Sequence, residues 1–153
     1  MIKVSLKEFL RTGEFGPIRL GDSLDRVLEL LGNSDFEMKQ RKRKLPAMIE
    51  YGLIEFYFDS ESGYVLESIY ADHFEQLRGG QTIDLDAWIL RGRASKAEIE
   101  TALQSAKIGY TTIQPLDQIL SGIRTDGGVE LLFGNSVDKN ADWPGLYAIN
   151  LKM

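Results

Sequence analysis

Two stretches of this chain, set about 75 residues apart, carry the same structural signals in the same order. Ser23 stands against Ser95, Val27 against Ile99 and Leu31 against Leu103, each pair at the start or on the apolar side of a segment with helical spacing. Further on, Gly52-Leu53-Ile54-Glu55-Phe56-Tyr57-Phe58 falls against Gly127-Gly128-Val129-Glu130-Leu131-Leu132-Phe133, and Leu66 and Ile69 against Leu146 and Ile149. The offset drifts from 72 residues at the serines to 80 at the isoleucines, so loops differ in length while the elements keep their order. A helix with one apolar face and a set of alternating strands cannot each bury that face alone, and two such units can pool their strands in one sheet. The expected fold is therefore α+β: two degenerate helix-plus-antiparallel-strands repeats, about 15–78 and 88–153, within one unit spanning 1–153. Both helices would cover one face of the antiparallel sheet, and the other face would meet water or a partner. Any two helix–hairpin segments with core positions share such a pattern, so unrelated halves are the alternative.

Local signals fill in that outline. Gly16 to Ser23 is rich in turn formers and leads into Leu24, Val27, Leu28, Leu30 and Leu31, a short helix capped by Asp22 or Ser23 and ended by Gly32. Phe36 and Met38 alternate with charges before Lys39, Arg41, Lys42, Arg43 and Lys44 take both faces, which reads as a strand running out into solvent. Leu53–Phe58, the turn Asp59–Gly63 and Tyr64–Ala71 form a hairpin pattern. Ser95-Lys96-Ala97-Glu98 has the form of a capping box ahead of Ile99, Leu103 and Ala106. Strands are expected at 110–113, 119–124, 129–133 and 146–151. Trp88 reads as core beside Ile89 and Leu90.

With 43% hydrophobic residues the chain can build a real core, and a mean hydropathy of −0.19 keeps it away from compositions that stay disordered. A net charge of −5 and a pI near 5.0 oppose dedicated nucleic-acid binding, which needs lysine and arginine against phosphate. Zero cysteines exclude disulfides, thiolate metal sites and cysteine nucleophiles without fixing the compartment. Met1–Leu10 alternates polar and apolar residues and lacks the apolar run of a secretion signal, and no stretch is apolar for the roughly 18 residues a membrane span requires. A cytoplasmic protein without a membrane anchor is the expectation.

The segment Ile18, Leu20-Gly21-Asp22-Ser23, Val27, Leu30-Leu31-Gly32-Asn33 resembles the opening signature of the β-lactamase-inhibitor-protein and small outer-membrane assembly lipoprotein group, in which a Gly-x-Ser/Thr turn starts a helix that ends in Leu-Gly before antiparallel strands. The likeness covers about 17 of the 153 residues. It implies a tandem helix-and-strand module that binds another protein rather than one that performs chemistry. The chain lacks the lipid-attachment cysteine of the lipoproteins, so their anchoring is not implied. In size and acidity it is also similar to bacterial immunity proteins.

No residue pattern specifies a reaction. His73, the one histidine, has Asp72 and Glu75 beside it and could serve as a general base, although a lone histidine at a strand end is also an ordinary solvated residue. Neither Ser68 nor Ser121 sits in a nucleophile elbow. Gly79-Gly80 and Gly127-Gly128 lack the ending of a phosphate loop and read as turns. Asp84 and Asp86, and the series Asp138, Asn140 and Asp142, lack the glycine and distal glutamate of a calcium loop. No cofactor and no metal are expected. The remaining signals suit a protein partner: the basic residues Lys39, Arg41 and Arg43, which meet an acidic partner or, as a less favoured option, nucleic acid, or else keep an edge strand from aggregating; Trp143 with Asp138 and Asp142 in a long loop; and Tyr57 and Tyr70, with Tyr51, on the open sheet face. The expectation is a non-enzymatic protein-binding module, of immunity or inhibitor type. The alternative is a small-ligand-binding protein or an enzyme with a pocket between the halves near His73.

Overall fold

Each half of the chain begins with a serine that starts a helix. Ser23 Oγ accepts from the Arg26 backbone N–H at 3.1 Å, and Ser95 Oγ accepts from Glu98 N–H at 3.1 Å while the Glu98 carboxylate accepts from Ser95 N–H. In the computed structural model, which describes residues 1–40, 42–92, 94–114, 120–134 and 145–153, these caps open α2 (Leu24–Leu31) and α3 (Lys96–Ser105). Four strands follow each helix: β2 (Phe36–Lys39), β3 (Pro46–Tyr51), β4 (Ile54–Asp59) and β5 (Val65–Ala71) in the first half, and β7 (Tyr110–Ile113), β8 (Leu120–Thr125), β9 (Glu130–Gly134) and β10 (Gly145–Lys152) in the second. All eight form one antiparallel sheet in the order β2-β3-β4-β5-β10-β9-β8-β7. The halves therefore meet at their last strands, with Ala71 opposite Ile149 and Ile69 opposite Leu151.

The pleat assigns the two faces of that sheet. Ile49, Phe56, Ile69 and Leu151 are cross-strand neighbours in one row, and Ile149, Leu131 and Ile123 continue the same face in the next. These residues are buried in a single cluster with Leu24, Val27 and Leu31 of α2 and Ile99 and Leu103 of α3, so both helices cover this one face. Each fully buried leucine or isoleucine contributes about 1.5–3 kcal/mol, which is why helices this short hold their place without strong propensity.

Three parts of the fold were not anticipated. The N-terminal residues form β1 (Ile2–Ser5) and α1 (Leu6–Thr12), and β1 pairs in parallel with β6 (Ile83–Asp86) in the connector between the halves, Ile2 opposite Ile83. Leu6, Phe9 and Leu10 of α1 are fully buried, and Phe9, Phe15, Phe56 and Tyr51 stack edge to face at 5.6, 5.3 and 5.5 Å between successive ring centres. Strand β3 was passed over because Met48 and Ile49 are both buried, one on each face, which hides the alternation.

Tyr51 is a correction. The sequence placed it with Tyr57 and Tyr70 on the open face, whereas it is fully buried on the helix side, opposite Ile54, and its hydroxyl donates to the Gly32 carbonyl at 2.7 Å. Trp88 is only partly buried at the edge of the core, with Lys7 Nζ 5.9 Å from its ring centre. The two glycine pairs are indeed turns and close contacts. Gly80 and Gly128 have φ of +73° and +82°, and a Cβ on Gly127 would lie 2.4 Å from Gly13 N, where the β8–β9 turn meets the end of α1. Asp84 and Asp86 lie on β6, where Asp86 accepts from the Trp88 backbone N–H. Among the described residues no helix is long and apolar enough to cross a membrane.

Candidate binding face

Opposite the helices the sheet carries no covering element among the described residues, and the side chains pointing there form a continuous polar and aromatic surface. One row crosses all eight strands. In the first half it runs Phe36, Glu50, Glu55 and Tyr70, each directly opposite the next. From Tyr70 it crosses the junction to Asn150, then Glu130, Arg124 and Thr111. A second row runs Met38, Met48, Tyr57, Ser68 and Lys152. Tyr57 and Tyr70 thus lie on the open face, where the sequence expected them, diagonal to one another across β4 and β5. Tyr57, Glu67, Ser68, Tyr70 and Asn150 line a shallow hollow of about 280 Å³ across the junction of the halves.

The tyrosine hydroxyls are tied to carboxylates. Tyr57 OH donates to Glu55 Oε2 at 2.5 Å, and Tyr70 OH reaches Asp72 Oδ2 at 3.4 Å. Partial burial, then the hydrogen bond and charge of Glu55, push the Tyr57 hydroxyl up to about 12. Burial and the Asp72 charge raise Tyr70 as well. Glu50 is raised by desolvation and by the facing Glu55 carboxylate. Across the junction the corresponding acid is neutralised: Arg124 Nη2 lies 2.7 Å from Glu130 Oε1.

At one end of this face, β2 is an edge strand whose Phe36 and Met38 are half exposed, at 52% and 49%. The β2–β3 connection carries the basic residues. Lys39 Nζ lies 3.6 Å from Glu37, Lys42 adopts a φ of +69°, and Arg43 N–H closes a turn on the Gln40 carbonyl at 3.1 Å. Lys39 and Arg43 are therefore brought to the rim of the face and not to its centre, and both remain exposed. Arg41, Asp138, Asp142 and Trp143 lie outside the described residues.

A second hollow, of about 520 Å³, opens at the end of β5. Leu53, Phe74 and Tyr147 give it apolar walls, and Asp72, His73, Glu75 and Gln76 its polar ones. His73 Nε2 lies 3.2 Å from Asp72 Oδ1, and its side chain is 71% exposed. Tyr147 comes from the second half, where a β-bulge between Leu146 and Ala148 turns it outward. No group of three acidic or histidine side chains among the described residues is placed to hold a metal ion.

Sequence reasoning missed Glu50, Glu55 and Tyr147. The polar phase of Leu53–Phe58 contains Glu55 and could have flagged it. Glu50 lay in the unread strand, and Tyr147 depends on a bulge that no periodicity reveals.

Fold and face together define a helix-backed, eight-stranded antiparallel sheet protein with one open aromatic and acidic surface. No protein-family model, no curated protein and no solved structure matches this chain.

Proposed function

We propose that this chain is a non-enzymatic protein-binding module of inhibitor or immunity type, acting in the cytosol through the open sheet face. The observation that carries the reading is the pair of uncovered neighbouring rows on the open face, one running from Phe36 through Tyr70 to Thr111 and the other from Met38 through Tyr57 to Lys152, with the half-exposed Phe36 and Met38 at one end. Tyrosine and arginine supply much of the energy of protein interfaces, and a rigid sheet holds them without ordering cost. The basic turn after β2 would steer encounter from the rim. The shared order of helix and four strands in each half supports descent from a duplicated module, and with it the likeness to the β-lactamase-inhibitor-protein group.

The test is site-specific photo-crosslinking in the native host. A crosslinker at Tyr57 should capture one protein at near one-to-one stoichiometry, and the same group at Glu29 on the helix side should not. Capture from both positions alike, or from neither, removes the reading.

The hollow beside His73 favours a second reading, a small-ligand site, because it combines convergent polar groups of the first half with apolar walls to which Tyr147 of the second half contributes. A ligand seated there would raise the melting temperature of the wild type and not of a Tyr147→Ala variant.

A further inference from the structure

The two halves place their acids alike on the open face and treat them differently. Glu55 on β4 and Glu130 on β9 occupy matching places, three residues after Gly52 and Gly127. Across from Glu130 stands Arg124, in contact at 2.7 Å. Across from Glu55 stands Glu50, a second carboxylate, and neither has a cationic partner among the described residues. Like charges directly opposite on neighbouring strands destabilise a sheet, so the first half keeps an arrangement that works against its own fold.

We propose that the Glu50–Glu55 pair seats an arginine or lysine side chain of the protein partner, which completes the first half from outside as Arg124 completes the second from within. The geometry suits such a guest. The Tyr57 hydroxyl fixes one Glu55 oxygen and leaves the other free, and Tyr70, directly opposite Glu55, flanks the pair with an aromatic ring. Two carboxylates match the forked donors of a guanidinium, and an adjacent ring face attracts the same cation. The partner is thus a protein whose docking segment projects a basic residue into an acidic, tyrosine-lined surface, and electrostatic complementarity would select against acidic competitors.

This inference rests on the open face being the binding surface. It is tested on the full chain with tri-arginine amide as probe, followed by the NMR shifts of the glutamate side-chain carboxyl carbons. The peptide should move the Glu50 and Glu55 resonances, and a Glu50→Gln, Glu55→Gln variant should bind it at least tenfold more weakly. A charge-matched control, Glu29→Gln with Glu61→Gln, should stay within twofold of the wild type. Equal weakening in both variants means that net charge alone attracts the peptide, and the seat is refuted; so do unchanged binding in the first variant or shifts centred elsewhere. The variant's melting temperature shows whether it remains folded. If a Tyr57 crosslinker still captures the partner in full from the Glu50→Gln, Glu55→Gln protein, the face stands and the seat falls. If Tyr57 captures nothing from the wild type, the face itself falls.

Discussion

Replacing Glu50 by arginine would copy the Arg124–Glu130 arrangement into the first half, and its expected effect is a protein that is more stable and binds less well. In the native chain the Glu50 and Glu55 side chains stand directly opposite one another on β3 and β4. A like-charge pair in that position destabilises, and an opposite-charge pair stabilises, each by about 0.2–1 kcal/mol, so the exchange is worth about 1 kcal/mol at neutral pH. For a chain of 153 residues this corresponds to a rise of about 2–4 °C in Tm. The sign of the pH dependence follows from Glu50 itself, whose carboxyl is held above its ordinary value of 4.5 by desolvation and by Glu55. A raised carboxylate contributes stability that is fully present below pH 4.5 and lost as pH rises through the raised value. The wild type therefore gains on the variant as pH falls from 7 toward 4.5, and the difference in Tm should shrink over that window. Differential scanning calorimetry at pH 7 and pH 4.5 measures both quantities. An unchanged or lowered Tm at pH 7 would refute the electrostatic reading of the pair, and the argument for an external cation would go with it.

Two further substitutions probe the scaffold beneath the face. Tyr51→Phe deletes the hydroxyl that donates to the Gly32 carbonyl at the end of α2 and should cost about 1 kcal/mol in urea denaturation, with no effect on partner capture. Gly127→Ala drives a Cβ to 2.4 Å from Gly13 N and 2.8 Å from the Leu10 carbonyl oxygen and should cost about 3 kcal/mol, lowering the urea midpoint while leaving the helix content of the folded state unchanged.

How far the sequence reached depended on whether the deciding forces were local. The α2 and α3 caps are set by serines within three residues of the groups they bind, so Ser95 and Glu98 could be read directly and the α2 cap narrowed to Asp22 or Ser23, of which the structure uses Ser23. The strands of the second half have clean boundaries for the same reason, since turn residues flank alternating runs. What depended on contacts distant along the chain was missed. The parallel pairing of β1 with β6 joins residues about 80 positions apart and leaves no short-range mark. Tyr51 was placed on the wrong face because a one-residue change of register exchanges the two faces of a strand, and β3 carries large apolar side chains on both. Within the open face, the tyrosines were found by residue type. The pairing of Glu50 with Glu55 appears only when β3 is laid against β4.

The position of the face within the fold bears on how it could bind. Tyr70 and Asn150 are direct neighbours across the β5–β10 junction, so the centre of the surface depends on the halves keeping one register. That register is braced from the far side. α1 buries Leu6, Phe9 and Leu10 in the shared core, its end abuts the β8–β9 turn through Gly13 and Gly127, and Gly127 N–H donates to the Leu10 carbonyl at 3.2 Å. The N-terminal segment, which belongs to neither half, therefore ties the second half to a core that also holds Phe56 and Tyr51 of the first. A surface built on paired strands with a packed core behind it loses little freedom when a partner docks, so contact energy at Tyr57, Tyr70 and the Glu50–Glu55 pair would appear in affinity with little offset from ordering. The same bracing explains how the sheet tolerates two facing carboxylates: the cost of the pair, about 0.2–1 kcal/mol, is set against a core of buried aromatic and aliphatic side chains, each worth more than that alone.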